Sequence, residues 1–326
     1  MTLHEDTTLF RQAIQATAQQ MGINDIYVEK DYWVTLALHT IFHHAIGKET
    51  VFKGGTALSK CFGLIERFSE DIDLVILQDG VSGNQLKKKL KEITKVVATK
   101  MEETTVEGIT NKRGKIRKIA YNYPKIFKGP FGQVRDIIVV EATWLGRFEP
   151  YQTQEISSYI YEMMVTKEQL TLAAKYNLLP FEVQVLDIKR TLCEKIMSLV
   201  RYSYSEDPIT NLKDKIRHTY DIHQLLKQTD VLDFFYSTEF NEMLQLVGSD
   251  DVQSFKTEIK WLERHPKEAL VFKETETVWN DLKRAYNNEF KELVYGKFPK
   301  DDAILAMLLV VTKRLQSINW NLTLKI

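Results

Sequence analysis

Asp71 and Asp73 stand two residues apart in the run Arg67-Phe68-Ser69-Glu70-Asp71-Ile72-Asp73-Leu74. Residues 68–77 alternate polar and apolar and read as a strand, in which alternate side chains share a face. Both carboxylates then project from one face, while Ile72, Leu74 and Ile76 project from the other and can enter a core. Paired carboxylates repel unless a cation lies between them, and their hard oxygens suit Mg²⁺ carrying nucleotide phosphates. Just upstream, a β-like run over residues 50–53 meets Gly54 and Gly55, whose missing side chains permit positive φ and close approach of backbone to a ligand. A helix starting at Thr56 would aim its free N–H groups and its dipole at whatever the turn holds. It would also set Thr56 and Lys60 on one face. Arg67, two residues before Ser69, adds a cation that can neutralise phosphate charge. Amide donors, a hydroxyl and an ammonium beside two carboxylates suit a metal-bound triphosphate better than a plain anion.

Gly-Gly-Thr alone is a common turn, and Asp-Ile-Asp alone is often a solvated strand end. Their conjunction across a helix-length spacer is what points to phosphate and metal chemistry. Gly54-Gly55-Thr56-x-Leu58-x-Lys60 followed by Arg67-Phe68-Ser69-Glu70-Asp71-Ile72-Asp73-Leu74 resembles the AbiEii/AbiGii-type nucleotidyltransferase toxins of bacterial toxin–antitoxin and phage-defence systems. The resemblance extends to Glu29-Lys30-Asp31-Tyr32-Trp33, to Cys193-Glu194-Lys195-Ile196-Met197-Ser198-Leu199 and to Arg217-His218-Thr219-Tyr220-Asp221-Ile222. It implies an α+β fold with a polymerase-β-like nucleotidyltransferase core, Gly54, Gly55 and Thr56 around the phosphates, and Asp71 and Asp73 on Mg²⁺ or Mn²⁺. It also implies a nucleoside triphosphate as substrate, Lys195 on the nucleotide, Asp221 in support of catalysis, and a cognate antitoxin as partner. Some members of such families add nucleotides to the acceptor end of transfer RNA. Arg217-His218 stands where many relatives have Arg-Asp.

A third carboxylate is common in such cores, and Asp136 and Glu141 are the candidates, flanking a run at 137–140 that reads as a strand buried on both faces. They lie on opposite faces, so at most one joins the site. Glu141 is the better placed, although a salt-bridged strand end is an equally good account of it.

The elements that would position these groups follow from spacing. Residues 187–201 read as a helix with Asp187 as N-cap and Ile188, Leu192, Ile196, Leu199 and Val200 as its apolar stripe. Lys195 borders that stripe, where a lysine most often covers core edge with its stem; only the resemblance gives it a ligand. Asp221 falls on a helix over about residues 213–227, and His218 and His223 have no partner at zinc-site spacing. Helices are also expected at 7–21, 31–42, 84–101, 231–246, 254–264, 274–293 and 301–315, with Gly248, Pro266 and Pro299 as breaks. The sheet region runs from about residue 50 to 185. The expected organisation is a mixed-sheet nucleotidyltransferase domain with N-terminal helices over 1–186 and a helical domain over 187–326 completing the active-site cleft.

With 326 residues the chain has ample length for a core. Its 44 basic and 44 acidic residues balance, so overall charge says little about partners. Local charge says more. Lys112, Arg113, Lys115, Arg117, Lys118, Lys125, Lys128 and Arg135 fall in residues 108–135 without one acid, interleaved with Tyr121, Tyr123, Phe127 and Phe131. Such a stretch, Lys112, Arg113, Lys115, Arg117 and Lys118 above all, could track an RNA backbone and stack its bases. It could equally be a basic hairpin with solvated charges and half-buried aromatics. Cys61 and Cys193 are the only cysteines, so neither a disulfide framework nor a cysteine metal site is indicated, and a cytoplasmic location is expected. The opening residues carry no signal-peptide pattern, and the apolar run at 303–311 is too short to cross a bilayer and reads as a buried helix.

The expected function is transfer of a nucleoside monophosphate from a triphosphate to an acceptor, RNA such as a tRNA 3′ end. The alternatives are transfer of the terminal phosphate and a non-catalytic nucleotide- or nucleic-acid-binding module.

Overall fold

A computed structural model describes residues 1–78, 80–129, 134–254 and 260–322. The chain divides into two compact units, one of residues 1–63, 68–144 and 151–186, the other of 64–67, 145–150 and 187–326.

The first unit is α+β. Its strands are β1 (Thr50–Lys53), β2 (Ile72–Ile76), β3 (Glu102–Thr104), β4 (Ile116–Asn122), β5 (Ile138–Thr143), β6 (Tyr151–Ile156) and β7 (Phe181–Leu186). Among the described residues they form one sheet in the order β3-β4-β5-β2-β1-β7-β6. The sheet is mixed: β2 runs parallel to β5 and β1 parallel to β7, and the remaining neighbours are antiparallel. Helices α1 (Thr7–Met21), α2 (Asp25–Phe42), α3 (Gly54–Lys60), α4 (Gly83–Val97), α5 (Tyr159–Thr166) and α6 (Leu170–Lys175) complete the unit. Alternation along the strands decides what each face meets. Ile72 and Leu74 of β2, Val140 and Ala142 of β5 and Ile119 and Tyr121 of β4 are buried in one cluster with Phe10, Tyr32, Trp33, Leu90 and Ile93 from the helices. The intervening residues of β2, β5 and β4 include Asp73, Glu141 and Lys118, so burial of the apolar face fixes the charged groups on the other.

Strand β2 begins four residues later than the alternation suggests, so Asp71 lies just outside it. The reason is that residues 68–71 have other partners: Phe68 is buried and stacks on Tyr27 at 4.7 Å, Glu70 is buried against Lys30, and the Asp71 carbonyl accepts the Thr56 hydroxyl at 2.5 Å. Helix α3 starts at Gly54, two residues before the expected Thr56.

The second unit is helical, with α7 (Ile188–Tyr202), α8 (Pro208–Asp214), α9 (Ile216–Leu225), α10 (Thr229–Tyr236), α11 (Thr238–Ser254), α12 (Leu270–Lys273), α13 (Thr275–Ala285) and α14 (Asp301–Gln316). Asp187 caps α7 as expected, accepting the Lys189 N–H at 2.7 Å. The helix expected at 213–227 is two, divided after Asp214, and that expected at 231–246 is likewise two, divided at the extended Ser237. Gly248 does not break a helix. It lies inside α11, where a Cβ would come within 2.5 Å of Leu322 and 2.7 Å of Trp320, so the missing side chain admits the segment after α14. Helix α14 is buried on one side only, since Leu309 and Val310 are exposed where a wholly buried helix was expected. No helix among the described residues is long and apolar enough to cross a membrane.

Candidate active site

Four charged residues lie in register across four strands on the face of the sheet opposite the apolar cluster. Lys53 of β1 pairs with Asp73 of β2, Asp73 with Glu141 of β5, and Glu141 with Lys118 of β4. Neighbouring Cβ atoms in such a row stand about 5 Å apart, so the parallel β2–β5 pairing sets two carboxylates side by side. Asp71, two residues before Asp73, joins them from the start of the strand. Glu141 lies inside β5 rather than at its end, and Lys118 pairs with it at 2.9 Å. Asp136 precedes the strand, is exposed and pairs with Lys125 at 3.3 Å, which leaves Glu141 as the third carboxylate of the face.

Burial and crowding together shift the central carboxylate. Burial first, then Glu141 and Asp71, push the Asp73 carboxyl up to about 7. Its neighbours make its position tight as well. Gly54 has φ +83°, and a Cβ there would fall 2.3 Å from Asp73 Oδ2, so the turn before α3 and the carboxylate are built against each other. Gly54→Ala is therefore expected to cost about 1–3 kcal/mol from backbone strain and the clash, and to displace Asp73. Urea unfolding checks the first. A loss of activity beyond the loss of folded protein checks the second, and a variant with unchanged stability would show the contact to be soft.

Thr56, like Gly54 and Gly55, lies in the first turns of α3. It is buried, and its hydroxyl, 3.0 Å from that of Ser69, is spent on the Asp71 carbonyl. It holds the start of β2. Lys60 points elsewhere: its ammonium donates to Asp31 at 2.6 Å and to the Ser157 carbonyl at 2.9 Å, so the structure does not gather it with the carboxylates.

The basic stretch divides. Lys112 and Arg113 are exposed, and Lys112 pairs with Glu103. Lys115 and Arg117 are half-buried, and Arg117 donates to Thr94 at 2.8 Å. Lys118 belongs to the charged row. Tyr121 and Tyr123 are buried in the core, so a base-stacking role for them is corrected to core packing; Phe127 packs at its edge, and Phe131 lies outside the described residues. Arg135 bonds Asp71, with Nη1 2.9 and 3.1 Å from the two carboxylate oxygens.

Residues known from the sequence only through their resemblance acquire physical tasks. Glu29 accepts the N–H groups of Ile126 and Phe127, Lys30 pairs with Glu70 and donates to the Arg135 carbonyl, and Asp31 holds Lys60 and the Tyr159 N–H. All three are buried. Nothing in their spacing announced this, because each partner lies far along the chain.

In the second unit, Arg67, Lys195 and Asp221 come together. Arg67 grips Asp221 with two bonds, Nε to Oδ1 at 2.7 Å and Nη2 to Oδ2 at 2.8 Å, and Lys195 donates to Oδ2 at 2.6 Å. Asp221 is fully buried and Arg67 nearly so. Burial alone would raise the Asp221 carboxyl, but Arg67 and Lys195 hold it well below the usual range. His218, half-buried on the same helix, is pushed well below its ordinary value by burial and by Lys195, which favours the neutral imidazole.

Among the described residues no three His, Cys, Asp or Glu groups are drawn close enough to enclose a metal ion. The donor set nevertheless fits a hard divalent cation: three carboxylates share one face, Asp73 carries the strain of their mutual repulsion, and Arg135 and Lys118 neutralise the other two.

The sequence model of the nucleotidyl transferase AbiEii toxin family, from type IV toxin–antitoxin systems, matches residues 36–307. No curated protein is detectably similar in sequence. Among solved structures, MenT4, a nucleotidyltransferase toxin from Mycobacterium tuberculosis H37Rv, aligns with a TM-score of 0.46 and 15% identity, covering 90% of this chain and 98% of that one.

Proposed function

Because the chain belongs to the AbiEii family of nucleotidyltransferase toxins, we propose that it moves a nucleoside monophosphate from a triphosphate to an RNA acceptor, foremost the 3′ end of transfer RNA, with Mg²⁺ or Mn²⁺ as cofactor. A cognate antitoxin and a role in phage defence belong to the same proposal. The observation that carries it is the in-register row that sets Glu141 beside Asp73, with Asp71 two residues away. A carboxylate raised by burial and by two neighbouring carboxylates is what a divalent cation relieves.

Asp71, Asp73 and Glu141 would hold the cation, which when bound supplies charge neutralisation and polarises the phosphoryl group under attack. The N–H groups of the Gly54–Thr56 turn offer donors to phosphate oxygens. Lys118 and Lys53 close the row at either end with positive charge. In the reaction the acceptor hydroxyl forms a bond to the α-phosphorus, pyrophosphate departs, and the hydroxyl proton passes to a base. Asp221 has both oxygens engaged and no exposure, so it does not serve as that base. The assignment of Lys195 to the nucleotide stays a proposal from the resemblance, and Asp221 fits the part of fixing that ammonium. Most of the acceleration would come from positioning and electrostatics.

The test is incubation of the protein with Mg²⁺, cellular RNA and each nucleoside triphosphate radiolabelled on its α-phosphate, beside an Asp71→Ala/Asp73→Ala control and a chelator control. Label entering an RNA band only with intact protein and free metal is the expected result, and it names the base. Absence of α-label from RNA, together with label entering RNA in a parallel incubation with γ-labelled triphosphates and no pyrophosphate released, would replace nucleotidyl transfer by phosphate transfer.

A further inference from the structure

Arg135 is held at its root by buried groups and carries an exposed head. Lys30 donates to its carbonyl oxygen, and Glu70, itself paired with Lys30, accepts its N–H at 3.1 Å. Glu29, next to Lys30 on α2, fixes the same stretch at Ile126 and Phe127 with bonds of 2.7 and 3.1 Å. These anchoring groups are buried. The Arg135 side chain, by contrast, is 43% exposed and meets an Asp71 that is 30% exposed.

Among the described residues only one of its nitrogens is used. Nη1 lies within 3.1 Å of both Asp71 oxygens and 3.8 Å from Glu70, while Nε and Nη2 donate to no acceptor among the described residues. A guanidinium offers a planar fork that matches phosphate as well as carboxylate. Such a head on a fixed backbone can exchange one anion for another without a change of fold.

Charge balance says when it should. The face carries Asp71, Asp73 and Glu141 against Lys53, Lys118 and Arg135. A metal–triphosphate complex brings cationic charge for the carboxylates and, in the phosphates, an excess of anionic charge that needs cations.

We propose that Arg135 is an exchange residue: without nucleotide its guanidinium covers the face of Asp71 that a divalent cation requires, and with metal and nucleoside triphosphate present it passes to the phosphate oxygens. The inference rests on the nucleotidyl-transfer reading above. It makes Arg135 a competitor of free metal and a ligand of bound nucleotide, so that metal and nucleotide bind as a coupled pair.

The test compares wild type, Arg135→Gln and Arg135→Lys. Mn²⁺ alone is titrated by electron paramagnetic resonance, and the four α,β-methylene nucleoside triphosphates are titrated with Mg²⁺ by calorimetry. Arg135→Gln is expected to bind Mn²⁺ alone about tenfold more tightly and the metal–nucleotide complex about tenfold more weakly, each the size of one exposed-to-half-buried charge contact of about 1.4 kcal/mol. Arg135→Lys should fall between in both. Mn²⁺ affinity that is unchanged or weaker in Arg135→Gln would overturn the inference by making the Asp71 contact structural, and unchanged nucleotide affinity would overturn it by keeping Arg135 off the phosphates. A wild type that binds neither Mn²⁺ nor any nucleotide would instead remove the nucleotidyl-transfer reading itself.

Discussion

Asp73→Asn is expected to abolish nucleotide transfer while making the metal-free protein more stable at pH 8. Asparagine keeps the shape but loses the charge proposed to hold the metal, and several kcal/mol of charge stabilisation at the reacting phosphate corresponds to a fall of about 10³-fold or more. Stability moves the other way because Asp73 is raised to about 7 by burial, Glu141 and Asp71. A carboxyl raised in the folded state holds its proton more tightly there than in the unfolded chain, where it titrates near 4. Stability therefore falls as pH climbs from about 4 to 7, and above 7 the full penalty stands. Removing the charge should return about 4 kcal/mol, or about 6 °C in Tm for a chain of this size, at pH 8 and almost nothing at pH 4. Mg²⁺ should raise the Tm of the wild type and leave that of the variant unmoved. A variant that retains a tenth of the activity, or melts lower at pH 8, would show that Asp73 is not the crowded metal carboxylate described.

Asp221→Ala is expected to be the most destabilising single change in the set, by about 3–5 kcal/mol, because it strands two buried cations. Arg67 and Lys195 both spend their charge on this one carboxylate, which has no exposure. Lys195→Met should cost far less, since the two-bond Arg67–Asp221 contact survives it. The difference separates two meanings of inactivity. If loss of function in Asp221→Ala follows loss of folded protein in urea, the residue acts by holding others. If the variant keeps the wild-type unfolding midpoint, the buried triad is not what secures α9 and the account fails. Acid should begin to erode the contribution at about pH 4 and go on eroding it as pH falls further, because the folded-state carboxyl is depressed and the unfolded chain takes up the proton first.

Some of this was legible before any coordinates. The alternation at 71–76 reports which side of the strand is buried, the apolar period at 7–21 gives α1 with its observed limits, and Asp187 caps the helix where a cap was expected. These are local signals, written in neighbouring residues. What could not be read was pairing. That Glu141 lies opposite Asp73 depends on a parallel register between strands far apart in the chain, and no spacing encodes it. Nor does a basic residue announce its acid. Lys60 went to Asp31, Arg67 to Asp221 and Arg135 to Asp71, although all three looked equally suited to a phosphate. Tyr121 and Tyr123 looked like stacking platforms because their strand's buried side is defined by α4 and α2 rather than by its own sequence.

Glu29 and Lys30, consecutive on α2, moor the two ends of the stretch between Ile126 and Arg135. A residue inserted between them would swing one mooring by about 100° around the helix and break it. Over evolutionary time, insertions should therefore be purged from this part of α2, because the spacing of Glu29 and Lys30 along the helix is what lets one turn reach both Ile126 and Arg135.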